Sequence, residues 1–565
     1  MSKYKYFGQP MHIHSCYQPG GSMEGQIYHV AKLGMQYTWF TDHDNRIAGQ
    51  QDQIEKFDFE QKELYGEDES GLAQGFKLCD DGEVEAQLTK DDCYCGTQCL
   101  KLTATAKEDG WNGGRVAFSA SSKRHSGSLL MGITLKIAAK ADWNENTRVI
   151  FDVQLSERPP EAKCAHVQYV LGSTEGLGDQ PHTLVISLQP VEGWHSYTLN
   201  LSEDVQSEEA VKQAVGGLDN ALATFSIYLQ TKNGTAQAWF DEYIIDREKR
   251  GQPVREKQQE VANEIGAKYG VTPFIGTELS SSGDMHKNCF STKVPIIPYY
   301  EYPNFEITHE EGIAWVKDHG GIFALNHPFQ CCKYDDLPDG ELESRLERLA
   351  QEFIENKAWG ATLMEVGFPM GRHGFDLSYY PRLWDKLTKA GIFITGYGCS
   401  DSHSNTWGWY AHNNFATWIG VPQEEAEPVC EDAFILGMKQ GRAYCGDPVF
   451  LRGQAELETD TGLHMGDVLV TENAEQSHVV KFTYTQAQKG WKFRFVENGE
   501  IVAETVVDEE NFAFTYTMKP NCQIHFIRGE MYNEEGRCIL LTNPIYIHRK
   551  DLGDVAVPKE RLVVG

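Results

Sequence analysis

The chain is short of positive charge. Against 82 Asp and Glu stand only 51 Lys and Arg, a formal net charge of −31 over 565 residues. So acidic a composition repels phosphate backbones and argues against nucleic acid as a partner. Long apolar runs are also missing. No uncharged apolar stretch reaches the roughly 18 residues a membrane helix needs, so no membrane partner is expected. Met1 to Gln9 lacks a basic region followed by an apolar run, which points to a cytoplasmic location. Fourteen cysteines over this length do not make a disulfide framework and read as reduced thiols. Cys93, Cys95 and Cys99 sit close together, yet they lack the paired CxxC spacing and fourth ligand of a structural zinc site. No internal repeat or low-complexity segment occurs.

What is present falls into distinct textures. From Tyr4 to Gly75 the pattern is β-α-β: a strand-like run ending at His14, a helix from Ser22 as N-cap to Gly34, and a strand from Tyr37 to Thr41. From Phe76 to Asp246, alternating runs such as Gly132 to Ile137 and Ala223 to Leu229 recur between turn residues, as in an all-β sandwich. Its last run, Ala238 to Asp246, resembles the closing strand of carbohydrate-binding jelly rolls. Alternation of strands and helices then resumes, with a Thr308/Glu311 capping box and a helix whose face carries Leu342, Leu346, Leu349 and Phe353. Beyond Asp447 the pattern is β again. The expected architecture is therefore α/β: a barrel over 1–75 and 247–445, interrupted by an inserted β-sandwich over 76–246 and followed by a C-terminal β-sandwich over 446–565.

The candidate chemistry lies at strand ends. In a strand, His12 and His14 point to the same side. Asp401 and His403 repeat that spacing after another strand. His43, Glu278 and His327 each follow a short apolar run, and His286 lies a few residues beyond Glu278. Any one of these residues is commonly a satisfied packing or capping group. Five strand-like runs that each deliver a His, Asp or Glu just past their C-terminal end are harder to explain that way, because parallel α/β barrels carry active sites at that rim. Mixed imidazoles and carboxylates suit Zn, Mn or Fe(II) better than calcium. So many ligands exceed the needs of one ion, which implies two or three divalent ions and metal-assisted hydrolysis.

Taken in order, His12-x-His14, Thr41-Asp42-His43, Glu278 with His286, Asn326-His327-Pro328 and Gly398-Cys399-Ser400-Asp401-Ser402-His403 resemble the signature motifs of the PHP (polymerase and histidinol phosphatase) superfamily. Glu365, Asp401-Ser402-His403 and Gly441-Arg442-Ala443-Tyr444 resemble its carbaryl-hydrolase-like CehA/McbA branch. The resemblance implies a distorted (β/α)7 PHP barrel with a two- or three-metal centre. By motif, His12, His14, Glu278 and Asp401 would hold one ion. Glu278 would bridge to a second ion completed by His286 and His327, and His43 with His403 would hold a third. Many relatives place an Asp or His in the turn where this chain has Pro19 and Gly20. His43 and His403 are therefore also candidates for binding a substrate oxyanion or protonating the leaving group.

Weaker candidates are Arg372 and His373 for an anionic substrate group and Asp42 and Asp44 for orienting ligands. Trp407 and Trp409 are candidate pocket walls, and Trp111, Trp143 and Trp194 candidate sugar-stacking residues. The expected function is that of a phosphoesterase acting on an anionic small molecule, with Glu278, His43 and His403 as catalytic residues. A carbamate, ester or amide hydrolase is the first alternative. The second is a non-catalytic carbohydrate-binding protein with a vestigial metal site, its glycan contact lying on the inserted domain. Oligomeric state is not legible.

Overall fold

The computed structural model describes all residues apart from 1–2, 17–20, 45–46, 48–53, 61–75, 80–82, 107–109, 119–126, 157–164, 179–181, 208–215, 281–284, 304–305, 330–339, 368–378, 404–414, 473–475 and 565. Strands dominate it. The segment between the two expected halves of the barrel forms two packed antiparallel-rich sheets, one of seven strands and one of six. Their facing sides interlock through aromatic pairs such as Phe225–Tyr243, with centroids 4.3 Å apart, and Phe57–Phe118 at 4.9 Å. The strand Ile54–Phe57 joins the six-stranded sheet by pairing with Tyr243 to Asp246.

The expected (β/α)7 barrel, with its TIM-like and PHP-type descriptions, has to be corrected. Among the described residues its strands do not close into one parallel sheet. Tyr37–Phe40 and Thr272–Ile275 make a two-stranded parallel sheet. Thr277–Leu279, Lys287–Cys289, Phe323–Leu325, Leu363–Gly367 and Thr395–Gly398 make a five-stranded one, antiparallel in its first two pairings. Tyr4–Gln9 instead runs antiparallel to Ala416–Pro422, at one edge of a ten-stranded sheet. That sheet continues through Ala443–Gly446 into Cys538–Thr542 and the later strands, so the chain's first strand and its C-terminal region share one sheet. The physical reason is simple: apolar periodicity specifies a strand and its buried face, while partner and direction are settled by tertiary packing.

Local signals hold where they have a mechanism. The Ser22 hydroxyl caps the helix Met23–Lys32 by accepting from Gly25 N at 3.0 Å, and Gly34 takes φ +76° just past its end. Thr308 and Glu311 form the reciprocal capping box of the helix His309–Asp318. No helix among the described residues is long and apolar enough to cross a membrane.

Candidate metal centre

One buried residue gathers the site. Ile13 bridges in parallel to both Phe40 and Ser402, which ties the segments carrying His12 and His14, His43, and Asp401 and His403. The bridge between His43 and Glu278 adds a fourth segment. Asn326 N donates to His286 O at 3.1 Å, which brings in the loops of His286 and His327. All eight expected ligands thereby meet in one cluster.

Glu278, fully buried, is its hub. Oε1 lies 3.1 Å from His12 Nε2, 3.1 Å from His286 Nδ1 and 3.6 Å from His327 Nε2. Oε2 lies 2.6 Å from His43 Nδ1 and 3.6 Å from His14 Nε2. Asp401 Oδ1 lies 2.9 Å from His14 Nε2 and 3.1 Å from His12 Nε2. The His14 and His403 rings stack with centroids 4.1 Å apart. Donor atoms within 4.8 Å of one another form the triads His12–His14–Asp401, His12–Glu278–His327, His43–Glu278–His286 and His14–His43–His403. The cluster opens toward solvent on the side of His286 and His403, whose side chains are 30 % and 39 % exposed.

The donor set fits divalent ions. With metal–ligand bonds near about 2.1 Å, neighbouring donors of a tetrahedron or octahedron stand about 3.0–3.4 Å apart, close to most separations above. Burial, with neighbouring His403 and His43, pushes His14 down to about 3, so it stays a neutral lone-pair donor. His12 is held upward: burial opposes its charge, but Asp401, Glu278 and Glu365 outweigh that. Glu278 and Asp401 are held well below the usual carboxylate range, because His12 outweighs their burial. A proton on His12 thus supplies some of the positive charge that a bound cation would bring, and metal binding would release it.

The backbone is strained here. His12, His327 and Asp401 take φ of +58°, +22° and +48°, a region that costs non-glycine residues about 1–3 kcal/mol each. A supporting layer holds them. Glu365 Oε1 faces His12 Nδ1 at 2.6 Å, and its other oxygen accepts from His327 N. Tyr397 OH donates to Glu365 at 3.0 Å and lies 3.2 Å from Asn326 Oδ1. Ser280 Oγ meets His43 Nδ1. Asp42 accepts from Ser15 N, Ser15 Oγ and Gln258, while Asp44 accepts from Ser280 N and Tyr299 OH. Asp42 comes no nearer to His14 Nδ1 than 4.0 Å, so both aspartates brace loops more than ligands. Sequence reasoning missed Tyr397 and Gln258; a tyrosine in an apolar strand and a glutamine on a helix carry no signal of their partners.

Arg372, His373, Trp407, Trp409, Pro19 and Gly20 lie outside the described residues. Trp111, Trp143 and Trp194 each meet a different partner. Each is half-buried. Trp111 lies under Arg148, Trp143 donates to Val191 O, and Trp194 donates to Asp92. Cys93 and Cys95 belong to a turn whose Tyr94 and Cys95 amides donate to Asp241 Oδ2, Cys99 opens the strand Cys99–Ala106, and among the described residues the three make no metal triad.

No family model and no curated protein matches the chain. Solved structures do. A CBM22-1 xylan-binding domain from Paenibacillus barcinonensis is 14% identical, covering 34% of this chain and 94% of that one, with a TM-score of 0.19. A family 11 carbohydrate-binding module from Clostridium thermocellum, in complex with a β-1,3-1,4-mixed-linked tetrasaccharide, is 10% identical over 34% of this chain and 97% of that one, with a TM-score of 0.21. A family 12 xyloglucanase from Bacillus licheniformis is 8% identical over 34% and 99%, with a TM-score of 0.24. At these values the matches are a resemblance in chain trace over a third of the molecule, and the PHP resemblance rests on its motif residues alone.

Proposed function

We propose that the chain is a metal-dependent hydrolase that holds two or more divalent ions around Glu278 and cleaves an ester bond, with phosphate esters the first candidates. The observation that carries this reading is the set of four overlapping donor triads sharing Glu278, His12, His14 and His43. Zn, Mn or Fe suits such imidazole and carboxylate donors. Bound there, the ions would lower the pKa of a water and stabilise negative charge on a substrate oxygen. The chain's own groups do the rest. Glu278 and Asp401 orient the donors. His403, at the open side, directs Nδ1 to the Asp401 carbonyl at 2.8 Å; where the His14–His43–His403 triad holds no ion, its Nε2 is left to exchange a proton with a leaving group. The test is elemental analysis of the protein beside Glu278→Ala, with both assayed on p-nitrophenyl phosphate, its diester and a p-nitrophenyl carbamate. Two or more ions lost together with activity support the reading. Wild-type protein that takes up no metal on reconstitution overturns it, and a strong preference for the carbamate moves the substrate class.

A second reading, glycan contact by the inserted domain, draws on a separate observation. Lys140, Trp239, Lys101 and Gln87 register side by side on four adjacent strands. Trp194 stands at the edge, bonded to the same Asp92 that pairs with Lys140, and the 42 % exposed Tyr94 lies 5.8 Å from it. Such rings suit the faces of sugars. Affinity electrophoresis in gels of soluble β-glucan, with Trp239→Ala and Tyr94→Ala beside the wild type, decides it; wild-type mobility unchanged by glucan sinks the idea.

A further inference from the structure

A second group of reactive side chains lies outside the metal cluster, in the C-terminal sheet. The strands Lys492–Glu497 and Glu500–Val506 are joined by Asn498 and Gly499, left-handed at φ +50° and +85°, as a tight two-residue hairpin turn requires. The turn is pinned to the strand Ile524–Tyr532. Asn498 N donates to Phe526 O at 2.9 Å, and Asn498 Oδ1 accepts from Phe526 N at 3.0 Å. That docking sets Glu497 and Asn498 against His525, while Cys522 lies in the bend that leads into the same strand.

The contacts form a relay. Cys522 Sγ lies 3.5 Å from His525 Nδ1, and His525 Nε2 lies 2.6 Å from Glu497 Oε1. Tyr516 OH donates to the other Glu497 oxygen at 3.0 Å and fixes the carboxylate. A thiol, an imidazole and a carboxylate in this order make an activated nucleophile: the ring takes the thiol proton, and the carboxylate orients the ring and supports its charge. Burial opposes a charge on His525, but hydrogen bonds to Cys522 and Glu497 prevail and push it up to about 9. Asn498 Nδ2, 3.0 Å from His525 Nδ1 and 3.6 Å from Cys522 Sγ, is placed to donate to the thiolate once the ring holds the proton. The ring is buried, whereas Cys522 is half-buried. Elsewhere in the chain burial pushes thiols up, Cys95 to about 11 and Cys289 to about 12. One contact competes with the relay. Sγ also lies 3.1 Å from Ile524 O, and a thiol has one hydrogen to give.

We propose that Cys522 is a modification site: His525 takes its proton, and the thiolate exchanges with low-molecular-weight disulfides to leave a mixed disulfide on the protein. In that step Cys522 Sγ attacks one sulfur of the disulfide, the disulfide's S–S bond breaks, and the departing thiolate takes up the proton from His525 Nδ1. One thiol and one disulfide become one disulfide and one thiol, so no further oxidant enters. The step draws nothing from the metal cluster.

The experiment measures how fast oxidised glutathione modifies Cys522 at pH 7, followed site by site by peptide mass spectrometry, in the folded protein and in the same protein unfolded in urea. An ordinary thiol is roughly 3 % thiolate at that pH, so a thiolate held by His525 gains up to about 30-fold, part of it offset by lower intrinsic nucleophilicity. Cys522 of the folded protein should therefore react at least about fivefold faster than in the unfolded chain, and faster than the exposed Cys430, although it is the more buried of the two. His525→Gln and Glu497→Gln, each retaining the wild-type near-ultraviolet circular dichroism, should lose that advantage. The ultraviolet absorbance of a thiolate, read as folded wild type minus folded Cys522→Ser, should be present, and it should shrink when both carry Glu497→Gln. Should a relay variant fail to fold, the wild-type rate ratio and the absorbance difference against Cys522→Ser still decide. Folded protein that reacts at Cys522 no faster than unfolded protein overturns the proposal, because the hydrogen then stays with Ile524 O. So does an advantage that survives both relay variants, since the imidazole and carboxylate would not be its source.

Discussion

Two regions of this chain bury ionisable groups, and they do so in opposite ways. In the C-terminal sheet, Arg528 spans Asp385 and Glu530, Arg494 takes the other Glu530 oxygen at 2.7 Å, and Tyr532 donates to that oxygen at 2.8 Å. Each carboxylate there has a permanent cation. Around Glu278 the partners are imidazoles, groups that are neutral or charged as their surroundings dictate, on a backbone strained at three residues. The first arrangement is complete in itself. The second concentrates lone pairs without fixed cations, as a site for a divalent ion must.

The largest expected effect sharpens that contrast. Glu278→Ala removes the carboxylate common to two triads, so hydrolysis should fall by at least about 1,000-fold with loss of bound metal. Activity within tenfold of wild type would break the comparison. Next, Arg528→Met strands Asp385 in the interior while Glu530 keeps Arg494, and unfolding stability should drop by about 3–5 kcal/mol in urea melts. Because no ion is involved there, that loss should be the same with and without chelator, whereas the wild-type melting temperature itself should fall on chelation. A chelator-dependent Arg528→Met penalty would show the two regions to be coupled.

Smaller is the effect of Glu365→Gln. Glu365 lies behind His12, whose ring it meets through Nδ1, and it holds the His327 amide. Its neutral isostere should weaken metal affinity and kcat by about 10–100-fold while leaving the fold intact. Metal titration monitored by a competing chromophoric chelator measures it.

These residues also mark how far the sequence could be read. The eight residues of the cluster could be picked out because HxH and DxH pairs and short apolar runs ending in His or Glu announce themselves without any knowledge of topology. The barrel was not. Tyr4–Gln9 alternates well enough to be a strand, but nothing in it says that its neighbour is Ala416–Pro422 or that the pair is antiparallel. Three-residue strands such as Thr277–Leu279 and Phe323–Leu325 carry too little pattern to fix direction. Glu365 could be placed at a strand end, yet its partner Tyr397 reads as core until the two strands are seen side by side.

The mildest expected effect sets one histidine against another. His14, buried among other imidazoles, is pushed down to about 3. His525, buried in the C-terminal sheet, is pushed up to about 9: burial opposes its charge, but hydrogen bonds to Cys522 and Glu497, the latter at 2.6 Å, prevail. A folded-state pKa above the unfolded value of about 6.5 means that the native protein holds this proton more tightly. The resulting stabilisation is complete below pH 6.5 and is lost as pH rises through about 9. Other groups titrate in the same range, so the quantity to measure is the difference between wild type and Glu497→Gln in urea unfolding at pH 6 and pH 10. Wild type should lead by roughly 1–3 kcal/mol at pH 6, with most of that lead gone at pH 10. A lead that does not change with pH would mean that His525 is neutral throughout, and that the two buried regions treat their histidines alike.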